Sequence, residues 1–395
     1  MSLRRLRLGY LPLLDASPLI VAAELGFARE EGLELDLVRL RSWAQSRDML
    51  GAGLIDAAHM LVPMPVGQAL GLGPPQPDVD LVMFLAQGGQ VFAVNTTLEA
   101  RLRVEGHGFD LTDAWAAGQA LRRVVTGRLR VGVPFRFSTQ LELTEHWLSA
   151  CGFEPDSLAL LTTPPPMMAD ALVAGEIDAF CVGEPWGSVA ADRGVAALLL
   201  AGTAIWAAPP EKGLTVRRDF AEERPDETGA LMRAVARAGR WLDAEDHRGT
   251  AVELIVHPDY LDLPWDLIEP GMTGELSVSG RGERRSLPGF LTFHAGAASF
   301  PWKSIAALFA VRMARLHGLD PQLAMARAMG HFRTDLYRQH LRPAGIPLPG
   351  ASMRVEGTLD EDRTVPAEKG QMILRADRFF DGFTFDPALV LSSTN

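Results

Sequence analysis

Residues 48–63 read DMLGAGLIDAAHMLVP, and residues 170–185 read DALVAGEIDAFCVGEP. Eight positions agree at a constant offset of 122 (170 − 48): Asp48/Asp170, Leu50/Leu172, Ala52/Ala174, Gly53/Gly175, Ile55/Ile177, Asp56/Asp178, Ala57/Ala179 and Pro63/Pro185. A self-similarity of this kind marks a repeated supersecondary unit. Each copy reads as the last turn of a helix, a Gly just past it, a short apolar strand, and a Pro suited to the start of the next helix. The strands are expected over 55–62 and 177–182.

Working outward, each copy is preceded by a further strand and helix, 33–40 and 43–50 in the first and 158–161 and 167–173 in the second. Ahead of the first copy lie a strand over 6–13, Ser17 as N-cap, Pro18 at the first helical position and a helix over 19–31 closed by Gly32. Ahead of the second lie a strand over 129–133 and a helix over 138–149. Helices alternating with apolar strands predict an α/β protein with parallel-rich sheets covered on both faces, in two copies that bracket a cleft. In such sheets ligands bind beyond the carboxyl ends of the strands, near helix N-termini whose free N–H groups attract anions. The C-terminal third changes character, with amphipathic helices over 226–243, 304–317 and 322–331 and a Gly/Ser/Arg loop or hairpin over 272–288. The tail, 353–395, carries Phe379, Phe380, Phe383 and Phe385 and either wraps the surface or faces a partner.

At 395 residues, 47% hydrophobic and 22% charged, the chain has core material for two or three compact units. A net charge of −11 and only short Arg runs argue against a direct nucleic-acid surface, which needs clustered cations. Two cysteines, Cys151 and Cys181, are too few for a disulfide framework or a Cys-based metal site and are expected as buried thiols. After Arg4, Arg5 and Arg7 the apolar run 8–14 is broken by Pro12, so it reads as a strand rather than an export signal. The expected location is cytoplasmic, or periplasmic if a signal has been removed. No apolar run reaches 18 residues, so no membrane span is expected. No nucleotide-binding, metalloprotease or hydrolase motif is present, and the expectation is a binding protein with no cofactor and no metal, not an enzyme.

Candidate ligand residues lie just after strand ends or at helix starts. Trp43 opens a helix, where its ring either closes over a planar ligand or packs in the core. His59 lies within the first repeat's strand and reads more readily as a buried, satisfied histidine than as a ligand contact. Gln90 follows Gly88-Gly89, where glycine permits close backbone approach and an amide can donate to an oxyanion. Gln140 stands in the first turn of a helix, at the positive end of its dipole. Glu184 precedes Pro185. Lys212 offers one ammonium to neutralise a monovalent anion, and Glu211 beside it would orient it, bind a metal ion or face solvent.

Across nearly the whole chain these residues resemble the nitrate and bicarbonate solute-binding proteins of ABC transporters, within the wider sulfonate, taurine and thiamine-precursor group. The resemblance is carried by Leu8-Gly9-Tyr10, Asp15 to Ile20, Ser42-Trp43-Ala44, Arg47-Asp48, Asp56 to Leu61 with Pro63-Met64-Pro65, Val182 to Trp186, Glu211-Lys212, Phe300-Pro301-Trp302 and Asp335-Leu336-Tyr337. It implies a periplasmic-binding-protein-like (type II, Venus-flytrap) fold: lobe I from 1–94 with 206–350, lobe II from 95–205, and a C-terminal extension over 351–395. Crossovers would fall near 90–95 and 202–210. It also implies that Trp43, Gln90, the helix start at Gln140 and Lys212 hold the oxyanion. The resemblance implies a His, usual in the family's nitrate binders, where this chain has Gln140, and Gln donates a hydrogen bond but cannot become cationic. The tail around Phe379 to Pro387 is similar to that of the cytosolic nitrate/nitrite sensors (NasS-like), which implies regulation of an RNA-binding antiterminator. The alternative is a transporter receptor serving an ABC permease. Thiamine-pyrimidine synthases share the implied fold, but the clustered-cysteine motif they resemble one another in is missing here.

Overall fold

The computed structural model describes residues 3–392. Ahead of a tail hairpin (Arg363–Pro366 with Gln371–Leu374), the strands among the described residues are β1 (Arg4–Tyr10), β2 (Leu33–Arg39), β3 (Ala57–Leu61), β4 (Val79–Gly88), β5 (Gln90–Asn95), β6 (Leu129–Val133), β7 (Leu158–Thr162), β8 (Ala179–Gly183), β9 (Ala196–Ala201), β10 (Pro210–Arg217), β11 (Glu275–Ser277), β12 (Arg284–Ser286) and β13 (Leu291–Thr292). They build a six-stranded sheet in the order β13-β4-β10-β3-β1-β2 and a five-stranded sheet in the order β7-β6-β8-β5-β9, with β11 and β12 as a separate hairpin. In each sheet the duplicated strand, β3 or β8, pairs in parallel with the first parallel strand of that sheet in chain order, β1 or β6. Both are buried along their whole length, as continuous apolar strands covered on two faces must be.

Apart from the short β13–β4 pair, the antiparallel pairs of the two large sheets involve the strands next to the crossovers. β10 runs against β3 and β4, and β5 runs against β8 and β9. The chain leaves the first sheet at Gly89, between β4 and β5, so Gln90–Asn95 already stands in the second sheet. It returns through residues 202–209. Gly88 and Gly89 both have positive φ, 75° and 81°, and a Cβ on Gly88 would sit 2.1 Å from the Phe290 carbonyl oxygen, so the crossover can be made only by glycine.

The duplicated Gly53 and Gly175, at φ 69° and 67°, close their helices as the sequence pattern predicts. Three expectations change. The helix over 19–31 is two helices, Ser17–Glu24 and Phe27–Glu30, because Gly26 at φ 76° takes the chain out of the helical region. Ser17 is not the N-cap but the first helical residue; its hydroxyl donates to the Leu14 carbonyl at 2.6 Å instead. The first strand stops at Tyr10, and Leu14–Ala16 forms a 3-10 turn that carries Asp15.

The Gly/Ser/Arg stretch is the β11–β12 hairpin, and it reaches across to the second sheet. Leu198 N–H donates to the Val278 carbonyl at 2.7 Å, and the Arg103 guanidinium donates to both Glu283 oxygens at 3.1 and 2.6 Å. The tail wraps the molecule: Phe379 stacks on Trp206 in the return crossover at 4.6 Å, and Phe380 N–H donates to the Ile205 carbonyl at 2.9 Å. Among the described residues no helix is long and apolar enough to cross a membrane.

Candidate functional site

Where β3 and β10 meet the helix start at Thr139, one buried polar cluster gathers most of the residues singled out above. Trp43, His59, Gln90, Gln140, Glu211 and Lys212 are each at most 1% exposed. The Trp43–Gly51 helix is capped by Ser42, whose hydroxyl accepts from Gln45 N–H at 3.2 Å, and this sets the Trp43 ring 5.4 Å from the His59 ring and 5.3 Å from Lys212 Nζ. The Thr139–Ala150 helix is capped by Ser138, and Thr139 Oγ1 donates to the Pro210 carbonyl at 2.6 Å, tying this helix N-terminus of the second lobe to β10 of the first. Gln140 then lies over Glu211.

Lys212 Nζ donates to Asp15 Oδ2 at 2.8 Å and to Glu211 Oε1. Gln90 Nε2 donates to Glu211 Oε2 at 3.0 Å, and Gln140 Nε2 donates to Glu211 Oε1. His59 Nε2 lies 2.7 Å from Asp15 Oδ1, and its Nδ1 accepts from Leu11 N–H at 3.4 Å. Gly183 passes so close that a Cβ there would be 3.2 Å from Glu211 Oε1 and 3.5 Å from Asp15 Oδ2. Glu211 is thus buried against Lys212 rather than facing solvent.

Burial and pairing compete for each charge. Burial acts to lower the Lys212 ammonium, but the Asp15 and Glu211 carboxylates outweigh it and hold it above the usual value. Burial acts to raise Asp15, yet Lys212 and His59 together keep it below the carboxylate range. For Glu211 burial wins over the attraction of Lys212, and its carboxyl is pushed up to about 7. Burial holds the His59 imidazole low, with Asp15 offsetting part of the effect.

The side chain of Glu184 stands apart. Its Oε2 accepts from Ser188 N–H at 3.0 Å, serving the helix that follows it, while its backbone carbonyl accepts from Leu14 N–H at 2.9 Å across the lobes. Burial pushes this carboxyl up to about 7. Asp15 is the member of this cluster that the sequence does not single out. An Asp between an apolar strand and Ser-Pro reads as a turn residue, and only the fold sets it beside Lys212, 197 positions away.

Three buried polar atoms at the cluster have no partner among the described residues: Trp43 Nε1, Gln90 Oε1 and Gln140 Oε1. Buried polar groups are rarely left unmatched, and here an indole N–H and two amide oxygens beside an ammonium are free to pair with a small polar group. No group of three or more His, Cys, Asp or Glu among the described residues is placed to hold a metal ion.

The profile of the NMT1-like family matches residues 2–256. The chain is 27% identical over 389 residues to the nitrate/nitrite binding protein NrtA of Nostoc sp., covering 96% of this chain and 82% of that one. It is 27% identical over 412 residues to the bicarbonate-binding protein CmpA of Synechococcus sp., covering 98% and 85%. The crystal structure of the periplasmic nitrate-binding protein NrtA from Synechocystis PCC 6803 superposes with a TM-score of 0.83 at 25% identity, covering 100% of this chain and 99% of that one.

Proposed function

The chain belongs to the NMT1-like family, and from that premise we propose that it binds a small monovalent oxyanion between its lobes, as the solute-binding partner of an ABC permease. The observation that carries this reading is the donor set at the buried junction: the unpaired Trp43 indole N–H, the Lys212 ammonium and the Gln90 and Gln140 amides. The donors come from both lobes, so a ligand held by all of them favours closure over opening. The lobes we assign are 1–89 with 206–350 and 90–205, because the pairing of Gln90–Asn95 with β8 and β9 moves residues 90–94 out of the first lobe, where the resemblance puts them.

Nitrate and nitrite offer acceptors only. Bicarbonate also carries an O–H, and the unpaired Gln90 and Gln140 oxygens would accept it, which keeps a hydrogen-bearing anion beside nitrate as a ligand. A thermal-shift screen of nitrate, nitrite, bicarbonate and methanesulfonate decides among them. A ligand at 100 times its Kd adds about 2.7 kcal/mol of stability. The oxyanion reading fails if none of the four raises Tm.

A second reading, a cytosolic sensor acting on an RNA-binding antiterminator, draws on the tail, whose Phe379 lies on Trp206 in a crossover that lobe motion would bend. Permease genes beside the coding sequence would sink it.

A further inference from the structure

Glu211 accepts at Oε2 from the Gln90 amide at 3.0 Å, and at Oε1 from the Gln140 amide and the Lys212 ammonium. Those are three of the four donors that the proposed reading gives to the oxyanion, and a carboxylate is itself a flat, delocalised oxyanion. The geometry points to Glu211 as an internal ligand: its carboxylate holds the donors that an external anion needs, and it must be protonated to release them, so that the anion enters together with one proton. The inference rests on the oxyanion reading and adds to it the residue that sets affinity and its dependence on pH.

The charge count around the site leads to the same place. One ammonium, Lys212, already faces two carboxylates, Asp15 and Glu211. His59 on β3 supplies no second cation, because Leu11 N–H donates to its Nδ1; the ring proton therefore sits on Nε2, toward Asp15, and the imidazole is neutral. Among the described residues the remaining titratable group facing Glu211 is the Cys181 thiol on β8, which burial keeps protonated. A further anion added to this site would be a third negative charge against one positive charge in a dry interior, which is unfavourable. Protonating Glu211 restores the count and turns its acceptor into a donor aimed at the incoming anion. With its carboxyl held up to about 7, that proton is available near neutral pH.

Calorimetric titration of the full chain with sodium nitrate, which stays ionised throughout, from pH 6 to 8.5 tests this. Wild-type affinity should fall about tenfold per pH unit above pH 7, because only the protonated fraction is competent to bind. Repeating the titration at pH 8 in buffers of different ionisation enthalpy should count close to one proton taken up per anion. Glu211→Gln should bind about tenfold more tightly than wild type at pH 8 and lose the pH slope. The proton count is read on the wild type, so the outcome does not depend on the variant folding. Binding without proton uptake, or a Glu211→Gln protein that binds more weakly than wild type at pH 8, overturns this inference while leaving the oxyanion reading standing. Should nitrate give no heat, methanesulfonate is the second ionised probe. Silence from both probes in both proteins overturns the inference, and the oxyanion reading then stands or falls on the thermal-shift screen.

Discussion

In the first lobe Asp56 accepts from the backbone N–H of Arg7 at 2.8 Å, its own N–H donates to the Arg7 carbonyl at 2.8 Å, and Arg7 NH1 donates to the Leu54 carbonyl. In the second, Asp178 accepts from the backbone N–H of Arg130 at 3.1 Å, returns a bond to the Arg130 carbonyl at 2.8 Å, and Arg130 NH1 donates to the Gly175 carbonyl. One device, an aspartate that grips the parent strand from the start of its parallel neighbour, is used twice. Beyond it the copies diverge. The position of His59 is taken by Cys181 and that of Val62 by Glu184. The first lobe carries every charge of the central cluster, Asp15, Glu211 and Lys212, while the second sheet and its helices contribute the neutral amides of Gln90 and Gln140. The two copies share the contacts that order the strands and differ at the strand ends, where the first supplies charges and the second neutral amides.

The largest effect should come from removing the cation among those charges. Lys212→Ala leaves Asp15 and Glu211 buried without a counter-charge, and denaturant unfolding should report a loss of about 3 to 5 kcal/mol together with the loss of any anion-induced stabilisation. A loss below 1 kcal/mol would mean that the charges are not paired as described.

Glu184 is the next lever, because its counterpart in the first copy is Val62 and cannot titrate. Its folded pKa, about 7, lies above the ordinary carboxyl value, so its contribution to stability is complete below about pH 4.5 and is lost as pH rises through 7. Glu184→Gln should therefore gain stability relative to wild type across that window, by about 3 kcal/mol at pH 8. Parallel stability profiles for the two proteins would refute the assignment.

The shared device is tested by Asp56→Ala and Asp178→Ala. Each leaves a strand N–H without its acceptor, and each should cost about 2 kcal/mol in chemical denaturation. If one variant is silent while the other is not, the equivalence of the copies is broken. The smallest contrast is between Gly53→Ala and Gly175→Ala. Both place alanine at positive φ, for roughly 1 kcal/mol. Gly53 should lose slightly more, since its new Cβ would meet Arg217 NH1 at 2.7 Å whereas nothing lies within 4 Å of Gly175. Matched thermal melts read the difference.

Much of the site was legible. Trp43, Gln90, Gln140 and Lys212 were marked by their places after strand ends and at helix starts, sharpened by the family resemblance, and all four lie in the cluster. His59, a candidate ligand residue whose place within a strand reads more readily as a buried histidine, is buried and hydrogen-bonded at both nitrogens. Glu184 was legible only as a position: its carbonyl links the lobes, but its carboxylate turns back on its own helix. Asp15 was not legible, because nothing local distinguishes a turn aspartate from a buried counter-ion.

The sequence by itself determined the two α/β units, their order of strands and helices, and the glycines that end the repeats, since periodicity and turn chemistry act over a few neighbouring residues. The tertiary structure decided which strands run antiparallel, where the chain crosses between lobes, how the tail lies on the crossover, and that Lys212 is shared by two carboxylates. Those outcomes depend on groups brought within 3 Å from positions up to about 200 residues apart, and burial, which sets the strength and sign of their electrostatics, exists only once the whole chain has packed.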